Sequence, residues 1–163
     1  DGRGLHVFAR RQRQMCIRDS ASAGQLFNFQ DALPEGFVYD TEPACRALVT
    51  ARQLDEQSVW PLLQLIQQAF YTEGRDVTHA KVLVELAERA GIPRIEFVAA
   101  FDSQAMQSAT EVDFNWVQDL GIAGFPTLLA ERRGQLALLT NGYQPLQALA
   151  PLLGRWLEQA AHA

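Results

Sequence analysis

The stretch that decides the fold is GIAGFPTLLAE, residues 121–131. Gly121 ends a helical pattern, Gly124 and Phe125-Pro126 follow, and Thr127-Leu128-Leu129-Ala130 then runs apolar. A proline gives a strand ladder no N–H, so it belongs at an edge, a turn or a bulge. Downstream, Gln135-Leu136-Ala137-Leu138-Leu139 is a second short apolar run, with Arg132-Arg133-Gly134 between the two. That pattern predicts an antiparallel hairpin with the glycine at a positive-φ position. Apolar residues on both faces predict strands covered on both sides. Asn141-Gly142 then turns the chain into a last helix with Leu146, Leu149, Leu152, Leu153, Trp156 and Leu157 inward. Pro151 falls inside that pattern and predicts a kink or a break.

Upstream the period is helical throughout. Thr41 is placed to cap a first helix, with Pro43 in its first turn and Ala44, Cys45, Leu48 and Val49 as one apolar face. Asp55 or Ser58 can cap a second, in which Val59, Leu62, Leu63, Ile66, Ala69 and Phe70 keep i, i+3, i+4 spacing until Gly74. Thr78 is expected to cap a third with Val82, Leu83, Leu86, Ala87 and Ala90 inward. Lys81–Glu85 and Glu85–Arg89 would pair on its outer face, and Gly91 stops it. Pro93 opens a short helix through Phe101. Ser103 begins a long one with Met106, Ala109, Val112, Trp116, Val117 and Leu120 as its stripe. Trp60, Trp116 and Trp156 read as packing residues.

Composition bounds the function. The chain has 163 residues, 48% of them apolar, which suits one globular domain or a domain with a substantial insertion. A net charge of −5 leaves no basic stripe to neutralise phosphates, so nucleic acid is not an expected partner. No apolar run approaches the ~20 residues that span a bilayer, so no membrane partner is expected either. Two cysteines, Cys16 and Cys45, lie far apart and form no CxxC motif. Three scattered histidines, His6, His79 and His162, offer no i, i+4 ligand pair, so no metal site is expected. Arg132 and Arg133 read as a solvated turn, and the carboxylates show no pairing suited to acid–base work. Oligomeric state is left open by the sequence.

Residues 15–20, MCIRDS, resemble a translation of the transposon-end adapter of shotgun sequencing libraries. Residues 1–20 are therefore set aside as an expected artefact, and Cys16 goes with them. Residues 21–40 carry Gly24, Pro34 and Gly36 and read as an irregular connection, with Phe27, Phe29, Phe37 and Tyr39 laid over something apolar. The remaining divisions are a helical block at 41–102 and, at 103–160, a helix, loop, hairpin and helix.

Three stretches together resemble the DsbA family of thiol–disulfide oxidoreductases, including its FrnE-like members. They are Tyr39-Asp40-Thr41-Glu42-Pro43-Ala44-Cys45-Arg46-Ala47, then Gln67-Gln68-Ala69-Phe70-Tyr71, and Gly121-Ile122-Ala123-Gly124-Phe125-Pro126-Thr127. The resemblance implies an α/β fold: the C-terminal half of a thioredoxin fold (helix, cis-Pro loop, β-hairpin, helix) with a DsbA-type all-helical insertion. It implies a cis bond before Pro126, with Phe125 offering its N–H and C=O to an extended substrate beside the active-site thiols. Pro126 is then the catalytic-loop residue, and Gly124, Phe125 and Thr127 line the substrate, with Thr41 and Cys45 facing the same site. Read in isolation, Pro126 fits an edge or turn proline, and Cys45 fits a small apolar residue on a packed helix face.

The same resemblance places a strand, a CxxC at a helix start and a second strand ahead of the helical block. In such a site the helix N-terminus lowers a thiol's pKa. None of this is present, so the chain reads as an N-terminally truncated copy, inactive as given, whose partner is a thiol- or disulfide-containing protein or glutathione. No bound cofactor is implied, with glutathione as a co-substrate the family also uses. The alternatives are a glutathione-dependent isomerase or transferase of the kappa or hydroxychromene-carboxylate isomerase type, carrying serine for the first cysteine, and a non-catalytic binding module. Lacking structural cysteine pairs, the protein is expected in the cytoplasm ahead of the periplasm. A truncated copy would leave the Thr127 strand without its parallel partner, so residues 21–163 alone are expected to be poorly soluble.

Overall fold

Among the described residues, five helices, a two-stranded sheet and a closing helix follow one another. The structure, a computed structural model, describes Val38 and residues 40–122 and 124–161. The expected artefact at 1–20 and nearly all of the expected connection at 21–40 lie outside the described residues, as does Ala123. The chain divides into two compact units, Asp1–Asn115 and Trp116–Ala163, the division falling inside a helix.

Among its described residues the first unit is all-helical. Helix α1 (Glu42–Leu54) carries Pro43 in its first turn. Thr41 does not cap it: its backbone is helical (φ −88, ψ −14), so the hydroxyl is turned away from the free N–H groups that an extended cap residue would reach. Asp40 takes that place, Oδ1 accepting from Glu42 N at 2.9 Å. Ala47 and Ala51 enter the core, flanked by Ala44 and Leu48; Val49 and Thr50 are also buried, and Cys45 is half-buried.

Asp55 has the extended backbone of a cap and accepts from Gln57 N at 3.1 Å and from the Ser58 hydroxyl at 2.6 Å. It starts a short 3₁₀ turn (Glu56–Ser58) that runs into α2 (Val59–Gln67). A π-helical turn, Gln68–Thr72, closes α2. Gly74 at φ 67 then reverses the chain, Arg75 N reaching back to Ala69 O at 2.8 Å. His79 holds the N-cap position of helix α3 (Ala80–Arg89) without a side-chain cap bond, and the Thr78 hydroxyl donates to Asp76 Oδ1 at 2.6 Å instead of capping. Glu85 pairs with Arg75 at 2.6 Å, from across that turn, in place of the expected partners on its own helix. Helix α4 (Arg94–Phe101) follows Pro93.

The core of this unit joins α1, α2, α3 and α4. Leu62, Leu83, Leu86, Phe97 and Phe101 are fully or almost fully buried with Ala47, Ala51, Ala87 and Ile92. The rings of Phe97 and Phe101 stack at 5.5 Å between centroids. Small residues on α1 let large ones on α3 and α4 approach it closely.

Ser103 caps α5 (Gln104–Asp119), its Oγ accepting from Met106 N at 3.3 Å. The expected stripe is only partly correct. Met106, Ala109 and Val117 are half-buried, but Val112, Trp116 and Leu120 are exposed, so Trp116 and, on α2, the exposed Trp60 are not packing residues. Thr110 is the buried residue of this helix, its hydroxyl returned to Met106 O at 2.8 Å. That bond satisfies a polar group which an apolar pattern passes over.

In the second unit β1 (Thr127–Arg132) and β2 (Gln135–Asn141) pair antiparallel, with a register shift between Leu128 and Leu129. The turn is two residues, Arg133 at φ 52 and Gly134 at φ 78, so both central positions, and not the glycine alone, are left-handed. The strands are not covered on both sides. Leu138 is 62% exposed, and Leu128 and Leu136 also stand open. The last helix, α6 (Leu146–Ala161), packs on β2 and is not broken at Pro151. One missing N–H at its sixth residue leaves the remaining ladder in place. Leu149, Leu152 and Trp156 are half-buried, whereas Leu146, Leu153 and Leu157 point outward.

Candidate functional site

The loop between α5 and β1 gathers four of the expected site residues. Gly121 at φ 68 ends α5, with Ile122 N bonded to Val117 O at 3.3 Å. The Phe125–Pro126 peptide bond is cis. Two hydrogen bonds bracket this dipeptide. The Thr127 hydroxyl donates to Gly124 O at 2.7 Å, and Gly142 N donates to Pro126 O at 2.8 Å. The Thr140 hydroxyl in turn donates to Gly142 O at 2.9 Å, fixing the far side of the second bond.

Phe125 is left free at the centre. Its side chain is 72% exposed, and neither its N–H nor its C=O is hydrogen-bonded among the described residues. An exposed ring beside an unused donor and acceptor suits an extended peptide or peptide-like ligand, which supplies the complementary pair and an apolar contact. Beside the loop, Leu120, Ile122, Leu129, Leu136 and Leu138 line a shallow apolar hollow. No group of three or more metal-ligating side chains occurs among the described residues.

Thr41 and Cys45 belong to the first unit. Thr41 is exposed, and its carbonyl accepts from Cys45 N at 3.0 Å. Burial is the main reason that the Cys45 thiol titrates above its ordinary value of 9.0, and the carboxylates of Glu42, Asp113 and Asp40 push it further up. At neutral pH it is a thiol, whereas the nucleophile of disulfide exchange is the thiolate. Arg46 lies beside one of those carboxylates. Its Nε is buried 3.2 Å from Glu42 Oε1 without hydrogen-bond alignment, and its guanidinium lies over the Phe101 ring.

The residue that sequence reasoning missed is Asn141. Its dipeptide with Gly142 reads as a turn, yet Asn141 ends β2 opposite Thr127 and its side chain packs on Gly124. Nothing local in the sequence signals that contact, which depends on hairpin register.

The profile of the DSBA-like thioredoxin domain matches residues 11–154. Among solved structures, a candidate protein disulfide isomerase from Nitrosomonas europaea is 40% identical, with a TM-score of 0.86, over 92% of this chain and 74% of that one. The cytosolic disulfide reductase DsbM from Pseudomonas aeruginosa is 29% identical, with a TM-score of 0.69, over 86% of this chain and 72% of its own. DsbM with GSH gives a TM-score of 0.67 at the same identity and coverage. No curated protein matches the chain.

Proposed function

The chain belongs to the DSBA-like thioredoxin domain family, and on that premise we propose that Gly124–Thr127 is the substrate segment of a thiol–disulfide oxidoreductase. The observation that carries this is Phe125, exposed and with both peptide groups unengaged among the described residues, between two bracketing hydrogen bonds. The ligand is an extended cysteine-containing peptide or glutathione, and the existence of DsbM with GSH supports the second. Disulfide exchange needs a thiolate that attacks one sulfur of the substrate disulfide and releases the other as a thiolate. The sequence holds no CxxC, and Cys45 is kept protonated. These 163 residues therefore bind such ligands without exchanging them. The name of DsbM, a cytosolic reductase, supports a cytoplasmic setting.

The test is a titration of the 163-residue chain with glutathione disulfide and with a cysteine-containing peptide, read by amide chemical shifts and by insulin reduction. Shifts centred on Phe125 and Thr127 with no insulin reduction are expected. Shifts confined to other residues, or none at millimolar ligand, overturn the substrate segment. Insulin reduction by the chain overturns its inactivity, and loss of that reduction in Cys45→Ser would assign it to Cys45. Response to glutathione disulfide but not to peptide favours the glutathione-dependent isomerase or transferase reading.

A further inference from the structure

We propose that Asn141 is a positioning residue for this loop: its side-chain amide fills the space a Cβ at residue 124 would take, and so sets where the Phe125 peptide groups point. The proposal rests on the reading of Gly124–Thr127 as the substrate segment.

Gly124 is not among the glycines at positive φ, so backbone strain does not explain a glycine there. Close approach does. A Cβ built on Gly124 stands 2.7 Å from Asn141 Oδ1, 3.7 Å from its Cγ and 3.9 Å from its Nδ2. The same amide lies 3.4 Å from the Thr127 hydroxyl. That hydroxyl has one proton, and Gly124 O takes it at 2.7 Å. Its lone pairs therefore face the amide. With the amide turned by half a rotation, Nδ2–H donates to Thr127, which donates to Gly124 O, in one directed chain. Register completes the device. Asn141 is the cross-strand partner of Thr127, and its neighbour Gly142 holds Pro126 O. Gly124, Pro126 and Thr127 are thus each held from the end of β2, and Phe125 alone is left to a ligand.

A double-mutant cycle on the full chain tests this, read by the amide shifts of Phe125 and Thr127, by glutathione disulfide affinity and by melting temperature. The atom in the way is the end of a side chain that can swing aside, so Gly124→Ala should leave the melting temperature nearly unchanged. It should nevertheless move both amides and weaken binding about tenfold. Asn141→Ala makes room for the methyl group, so Gly124→Ala added to it should have less than about a third of its effect alone. Equal effects in the two backgrounds overturn the proposal. If Gly124→Ala does not fold, Thr127→Val, which keeps shape and loses the hydroxyl, should shift the Phe125 amide, and Thr127→Ser should not. An unmoved Phe125 in Thr127→Val likewise overturns it. If the parent chain binds no glutathione disulfide, the functional reading fails on that ligand, while the coupling of amide shifts still decides whether Asn141 sets the loop.

Discussion

The guanidinium carbon of Arg46 lies 4.3 Å from the centroid of the Phe101 ring, a cation held against the face of a buried aromatic. Its side chain is only 16% exposed, and its Nε faces Glu42 Oε1 at 3.2 Å. The contact joins the first turns of α1 to the end of α4. Arg46→Ala removes the ring contact and the aliphatic packing together, and should destabilise the helical unit by about 1–2 kcal/mol. Arg46→Lys keeps the charge but loses the planar guanidinium, so it should recover less than half of that. Urea unfolding followed by helical circular dichroism measures both.

Cys45 supplies a pH prediction. A thiol whose folded pKa is raised holds its proton more tightly when folded than when unfolded. Its contribution is therefore complete below the ordinary value of 9.0 and declines as pH rises past it. Iodoacetamide should label Cys45 slowly at pH 7 in the folded chain and quickly in urea. Asp113→Asn and Glu42→Gln should each move the labelling profile to lower pH, because each removes a negative charge that opposes the thiolate. Labelling of the folded chain at the rate of a free thiol would contradict the burial of the sulfur.

The hairpin turn carries a side chain in a conformation that glycine and asparagine adopt more easily. Arg133 sits at φ 52 ahead of Gly134 at φ 78. Arg133→Asn, giving the preferred Asn-Gly pair, should stabilise the hairpin by about 0.5–1 kcal/mol. Hydrogen exchange of the amides of β1 and β2 would show it as slower exchange, and no change would mean that the turn does not limit hairpin opening.

Punctuation and period made most of the architecture readable. Gly74, Gly91 and Gly121 end their helices at positive φ, as their positions after apolar periods implied. Leu62, Leu83, Leu86 and Phe101 lie in the core. What was not readable depends on distance in space. Asp40 rather than Thr41 bonds the first turn of α1, and Thr78 gives its hydroxyl to Asp76, because backbone conformation, not residue type alone, decides which side chain can reach. Thr50 and Thr110 are buried polar residues whose hydroxyls return to the carbonyls of Arg46 and Met106, a solution that hydropathy cannot register. In the site, Gly124 through Thr127 were named from the loop's resemblance. Asn141 was not, since its role appears only once a register brings it opposite Thr127.

The π-helical turn at Gln68–Thr72 makes the helical unit sensitive to length as well as to residue type. Such a turn holds one residue more than an α-turn. Losing a single residue there would let the segment rewind as ordinary helix while the residues on either side keep nearly their present phase. Adding one instead would turn Gly74 and Arg75 by about 100° relative to α2 and take the Arg75–Glu85 clasp out of reach. In-frame insertions in this segment should therefore be far less tolerated than single-residue deletions or substitution of its exposed Gln68.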